Sequence, residues 1–117
     1  MYGGENMEVL PRYDEAVIPK EKFVNYALDH DSDPDKATAF NLALGYDKTN
    51  AYNLISSIKQ NLSNYNAIKK GDDGHGMKYE VAMSLTGPNG KTAKVITAWI
   101  DDNSNGQMRL ITAYVDK

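Results

Sequence analysis

Between Met77 and Val115 the chain reads MKYEVAMSLTGPNGKTAKVITAWIDDNSNGQMRLITAYV, and this stretch leaves few folds open. Gly87-Pro88-Asn89-Gly90 and Asn103-Ser104-Asn105-Gly106 both end in Asn-Gly, a pair that readily takes the positive backbone angles of tight hairpin turns. The segments around them are rich in Val, Ile, Thr, Tyr and Trp, which pack well on a pleated surface. The pattern predicts an antiparallel meander of three strands, Met77–Thr86, Thr92–Asp101 and Gln107–Val115. In the first, Met77, Tyr79, Val81, Met83 and Leu85 share one face and Lys78, Glu80, Ala82, Ser84 and Thr86 the other. The other two strands carry apolar residues on both faces. By parity Thr97 goes with Trp99 and Thr112 with Tyr114, while Arg109 falls opposite Thr112. A bulge is needed to bring these polar residues together.

The chain before the meander reads as helical. Residues 1–16 are expected to form a flexible lead-in, cut from a longer chain, and residues 17–117 a single domain. Val17-Ile18-Pro19 is extended, because the residue before proline is pushed away from helical angles. A short helix over Lys20–Asp29 would bury Phe23, Tyr26 and Ala27. The next starts at Pro34, capped by Asp33 or Ser32, buries Ala37, Phe40 and Leu44, and stops at Gly45. The last runs from Thr49 or Asn50 to about Ser63, with Tyr52, Ile55, Ile58 and Leu62 as its stripe, broadened by Leu54. Helices this short need a surface to pack on. The fold class is therefore α+β: three short N-terminal helices on a three- to four-stranded antiparallel meander, the fourth strand lying near Asn66–Lys70.

At 117 residues there is room for one core and no more. Lys and Arg number 13 against 16 Asp and Glu, a formal charge of -3, so any attraction for nucleic acid must come from a local patch. The absence of cysteine removes disulfides, thiolate nucleophiles and cysteine-ligated metal sites. No apolar run reaches the roughly 20 residues that span a bilayer, and no membrane association is expected.

Among candidate sites, Asp29, Asp31, Asp33 and Asp35 alternate around His30 at a spacing that suits calcium ligands. A hand-like calcium loop needs a central glycine and a glutamate at its twelfth position, where Phe40 stands. Helix capping is the simpler reading, and neither a metal nor a cofactor is expected. His75, in the loop Gly71-Asp72-Asp73-Gly74-His75-Gly76, is of a residue type suited to proton transfer near neutral pH. That loop precedes a strand, whereas a phosphate cradle follows a strand and opens a helix. Thr97, Arg109, Thr112 and Tyr114 are more informative: a guanidinium in an apolar strand must be paired or reach water. Arginine, threonine and tyrosine together are also groups that hold and polarise a phosphate.

The pieces IPKEKFVNYALD, DKATAFNLALGYD, KYEVAMSLTGPNGKTAKVITAWI and RLITAYV resemble a small uncharacterised domain family found at the C-terminus of phage minor head proteins and of bacterial polymorphic toxins. That family in turn is similar to barnase-like and colicin-like ribonuclease toxins, with N-terminal helices followed by a four-stranded antiparallel sheet. The resemblance spans Ala16 to Val115, and its recurrent polar positions fall on Lys36, Thr97, Trp99, Arg109, Thr112 and Tyr114. It implies a metal-independent RNA endonuclease acting on transfer RNA or another structured RNA, with a cognate immunity protein as partner. Such a domain meets its target in the cytoplasm or ends a phage or secreted protein. Lys36 or Arg109 would stabilise charge at the phosphate, with Thr97 and Thr112 beside them. Tyr114, His30 or His75 would move the proton. Lys78, Lys94 and Trp99 would contact substrate. Many such toxins carry histidines in matching strands; here none does, which leaves a second reading open. It is a non-enzymatic interaction module of a phage head or cell-surface protein, its partner covering Trp99 and Tyr114.

Overall fold

The computed structural model describes residues 8–116. It is an α+β fold whose single sheet has the order β1-β2-β3-β4, antiparallel throughout, with β1 at Ala67–Asp72, β2 at Gly76–Thr86, β3 at Thr92–Asp102 and β4 at Met108–Val115. The two Asn-Gly turns connect β2 to β3 and β3 to β4, as the sequence predicts, and Gly90 and Gly106 take φ of 83° and 70°. The fourth strand expected near Asn66–Lys70 is β1.

One face of the sheet carries the core. Tyr79, Val81, Met83 and Leu85 pair across β3 with Trp99, Thr97, Val95 and Ala93, and the row continues through Leu110, Ala113 and Val115 of β4. Against it pack α1 (Pro34–Leu44), α2 (Ala51–Asn61) and a short helical turn at Phe23–Ala27. Local chemistry sets the helix ends. Asp33 accepts from the Lys36 amide at 3.2 Å, Pro34 stands in the first turn, and Gly45 closes α1 in the left-handed region at φ 85°. Asp47 and Asn50 form a reciprocal cap in front of α2.

Two aromatic residues of the predicted stripes lie outside the core. The first helix is only a wide turn, in which the Leu28 amide bonds the Phe23 carbonyl five residues back at 2.8 Å. Phe23 and Ala27 stay inward, while Tyr26 swings out to 57% exposure. On α2 the buried set is Ala51, Leu54 and Ile58, continued by Leu62, so Tyr52 faces solvent beneath the Lys20 ammonium, 4.9 Å from its ring centre.

Residues 8–16 were expected to be a mobile lead-in, and here the structure corrects the expectation. Leu10 is fully buried and Ala16 nearly so, both within the core cluster. The segment starts at the β1 edge, where the Glu8 carbonyl accepts from Ala67 N at 2.8 Å, crosses the helix side and reaches β4. There Val17 N donates to Met108 O at 2.8 Å and Val17 O accepts from Leu110 N at 2.9 Å, so the extended piece before Pro19 brackets Arg109. The rest of the lead-in, residues 1–7, lies outside the described residues.

The GPNG turn also docks on the end of α1. A Cβ on Gly87 would stand 2.0 Å from the Leu44 carbonyl oxygen, and Asn89 N donates to that same oxygen at 3.3 Å. Gly87→Ala must push turn and helix apart. We expect a loss of about 1–3 kcal/mol, the usual cost of overpacking, visible as a lowered Tm in thermal denaturation. Melting at the wild-type temperature would refute this account of the contact.

Candidate active site

The second face of the sheet supplies none of the cluster that joins helices to sheet. Its residues follow from the pairing. One rung holds Lys78, Ile100 and Arg109, the next Ile68, Glu80, Ala98 and Thr112, and the next Ala82, Ile96 and Tyr114. Beyond these lie Ser84 and Lys94. Ile96 and Ile100 are 7% exposed, sheltered by neighbours within the sheet, and form an apolar floor with Ala98.

A bulge decides which side chains share this face. Ala98 pairs with Thr112 but Trp99 pairs with Leu110, so Ile111 is the extra residue of β4. Simple parity would set Arg109 opposite Thr112. With the bulge, Arg109, Thr112 and Tyr114 stand on one face, and Arg109 shares a rung with Lys78. The two cations flank Ile100 from the neighbouring strands, each about 4.8 Å away in backbone spacing.

Lys36 reaches this face from the helix side, around the edge of β4. Its Nζ donates to Thr112 Oγ1 at 2.9 Å and lies 5.9 Å from the Tyr114 ring centre. At the other end of the face, Gly74, His75, Asp102, Asn103, Ser104 and Arg109 line a cleft floored by Ile100. The hairpin backbones lock it, with Asn103 N donating to His75 O at 3.0 Å. His75 and Arg109 are thus brought together although 34 positions apart.

The remaining candidates sit elsewhere. Thr97 and Trp99 are fully buried on the core face. Thr97 Oγ1 donates to Val81 O at 2.8 Å and accepts from Trp99 Nε1 at 2.8 Å, so both polar groups are satisfied inside the protein and neither can touch a ligand on the open face. His30 lines a shallow depression with Asp29, Asp31, Asp47 and Lys48, on the helix side and apart from every other candidate. The acidic run around it is structural: Asp33 caps α1, while Asp29 pairs with Lys48 at 3.0 Å and accepts from Ser32 Oγ at 2.9 Å.

Glu80 is the group that sequence reasoning passed over. It stands on the middle rung between Ile68 and Ala98, two residues along β2 from Lys78 and diagonal to Ile100, and is only half-buried. Its signal was the alternation of β2, which put it on the wet face beside Lys78. Nothing local marked that face as the functional one.

Electrostatically, four cations on or beside the face each have an acid close by. Lys78 pairs with Asp73 at 2.8 Å, Arg109 with Asp102 at 2.9 Å, Lys94 with Asp116 at 3.5 Å and Lys36 with Asp33 at 3.7 Å. The Ser104 hydroxyl and the Arg109 guanidinium hold the Asp102 carboxyl down at about 2. A carboxylate so depressed lends its stabilisation in full above its ordinary range near 4 and loses it progressively as pH falls from there through about 2. The Arg109–Asp102 pair is therefore intact at physiological pH. Asp73 is lowered too, first by Lys78 and then by the His75 amide.

Fold and face together define a small α+β meander domain with a polar face left open. The chain belongs to the family described as a domain of unknown function (DUF6883), which matches residues 9–117. No curated protein and no solved structure matches it. Among the described residues, no helix is long and apolar enough to cross a membrane, and no group of three or more His, Asp or Glu side chains is placed to hold a metal ion.

Proposed function

We propose that this domain is a metal-independent RNA endonuclease, of the kind carried by bacterial toxins and phage head proteins, acting on single-stranded segments of transfer RNA or another structured RNA. One observation carries the reading: the Ile111 bulge sets Arg109 on the same rung and face as Lys78, with Glu80 and Thr112 diagonal to the point between them. A phosphodiester over Ile100 lies between two cations, with a carboxylate on one side along the strands and the His75 cleft on the other.

The chemistry follows from that order. Glu80 takes the proton of the 2′-hydroxyl, and the 2′-oxygen bonds to phosphorus as the bond from phosphorus to the 5′-oxygen breaks. His75, in its protonated form, gives a proton to the departing oxygen. Arg109 and Lys78 stabilise the charge that builds on the phosphoryl oxygens, and Lys36 holds the neighbouring phosphate. The products are a 2′,3′-cyclic phosphate and a 5′-hydroxyl. An apolar floor with tyrosine at its margin suits bases that are splayed out, as in loops.

Incubating the purified chain with transfer RNA, with and without a chelator, tests the reading. Cleavage in both conditions with cyclic-phosphate ends is the expected result. RNA left whole in both, with an Arg109→Ala variant as harmless to cells as wild type, would sink it. The acids paired with all four cations favour a second reading, a protein-docking module, because pre-neutralised cations attract polyanions weakly. Binding to a capsid or portal protein with none to RNA would decide for that module.

A further inference from the structure

The groove over the edge of β4 shares Lys36 and Thr112 with the open face, but its other residues have no part in the chemistry above. Lys22, Tyr26, Ser32, Asp33, Lys36 and Thr112 line it together with the bulge residue Ile111, around a volume of about 210 Å³. Val17 covers β4 beside Met108 and Leu110, and this groove opens where that cover ends. Lys36 belongs to both regions: it lines the groove beside Asp33, 3.7 Å from its Nζ, and the same Nζ bonds Thr112.

Tyr26 is the unusual element. A regular helix through Phe23 and Ala27 would carry Tyr26 toward the buried side, and the wide turn instead holds the ring out at 57% exposure. Wide turns of this type carry a cost and occur frequently at functional sites. Tyr52, the other exposed tyrosine among the described residues, has a lysine over its ring. Tyr26 instead lines the groove, together with Lys22.

We infer that this groove is a nucleobase subsite, in which the base next to the phosphate held by Lys36 leaves the open face, passes over the β4 edge and stacks on Tyr26. The inference rests on the RNA reading of the open face and specifies the substrate: a single strand with at least one unstacked base beside the cut. Thr112 lies one bulged step along β4 from Arg109, about 6.6 Å for two residues of regular strand, a distance an RNA backbone spans in a single nucleotide. Lys22 is then placed for the phosphate beyond the stacked base.

The test uses a fluorescein-labelled hexaribonucleotide with 2′-O-methyl groups, which binds but cannot be cut, and reads binding by anisotropy. Tyr26→Ala is expected to weaken binding about tenfold, within the range for losing one base–aromatic stack, and Tyr26→Phe to stay within about twofold of wild type. An oligonucleotide made abasic at one position should reproduce the loss on wild-type protein and then bind wild type and Tyr26→Ala equally. That arm needs no mutant for its first half, so a folding defect cannot mimic it. If Tyr26→Ala and every abasic position bind as the intact pair does while Arg109→Ala is weakened, the subsite is wrong and the RNA reading stands. If the wild-type chain binds neither this oligonucleotide nor its unmodified RNA counterpart, both fall.

Discussion

Trp99→Ala should lower the stability of the domain by about 3–5 kcal/mol, the usual cost of truncating a large buried aromatic. The indole is fully buried in β3, with β2 and β4 on either side, and is the largest buried side chain in the core. It is also one end of a buried polar chain, since Nε1 donates to Thr97 Oγ1, which donates to the Val81 carbonyl. Removing the ring leaves both a cavity and a threonine oxygen short of a donor. With about 5–15 kcal/mol in hand for a domain of this size, such a loss takes a large share of the margin. Denaturant titration of the variant beside wild type measures it. A second substitution separates the two contributions. Thr97→Val keeps the volume but strands the indole N–H, and should cost about 1–3 kcal/mol. If Trp99→Ala unfolds within 1 kcal/mol of wild type, the anchor of the sheet has been misplaced.

That network also marks the limit of what a sequence can say about a two-sided strand. The Asn-Gly turns, the alternation of β2 and the Asp33-Pro34 start and Gly45 stop of α1 were legible, because each is set by side chains within a few positions of one another. Ile111 was not. A bulge depends on pairing with a strand more than ten residues away, and one extra residue reversed the side assigned to Arg109 relative to Thr112. The same strands misled for Thr97: a threonine among apolar neighbours reads equally as a ligand for phosphate or as a partner for a buried indole. Leu10 was hidden by its polar surroundings, MYGGENMEVLPRYDEA, yet it is fully buried and joins Ala16 in the core. Glu80 was visible in sequence but unmarked, since a glutamate on the wet face of a strand is ordinary until Arg109 is known to share that face. Lys36 and Thr112, 76 residues apart, had only the family resemblance to join them until the fold brought Nζ within 2.9 Å of the hydroxyl.

Glu80→Gln is expected to reduce RNA cleavage by about 10²–10⁴-fold, the range for loss of a positioned general base, while leaving RNA binding and stability near wild type. The substitution keeps shape and polarity and removes only the ability to take a proton. Glu80 forms none of the ion pairs found among the described residues, so no salt bridge is broken. Removing a carboxylate from a face meant for phosphates should, if anything, tighten RNA binding, because the variant takes away repulsion. Arg109→Ala should behave differently. It loses both binding and rate, because the guanidinium meets the phosphate in the ground state and more strongly in the transition state. Its stability cost should stay below about 1 kcal/mol, because the Asp102 pair is only partly buried and Ser104 still bonds the carboxylate. Single-turnover cleavage of a labelled RNA with each variant, with binding to its 2′-O-methyl counterpart measured in parallel, separates a proton acceptor from a phosphate ligand. Should Glu80→Gln cut at the wild-type rate while His75→Ala is inactive, the imidazole is the base and the carboxylate a bystander. A variant that loses binding and rate equally would instead place Glu80 in the framework of the face.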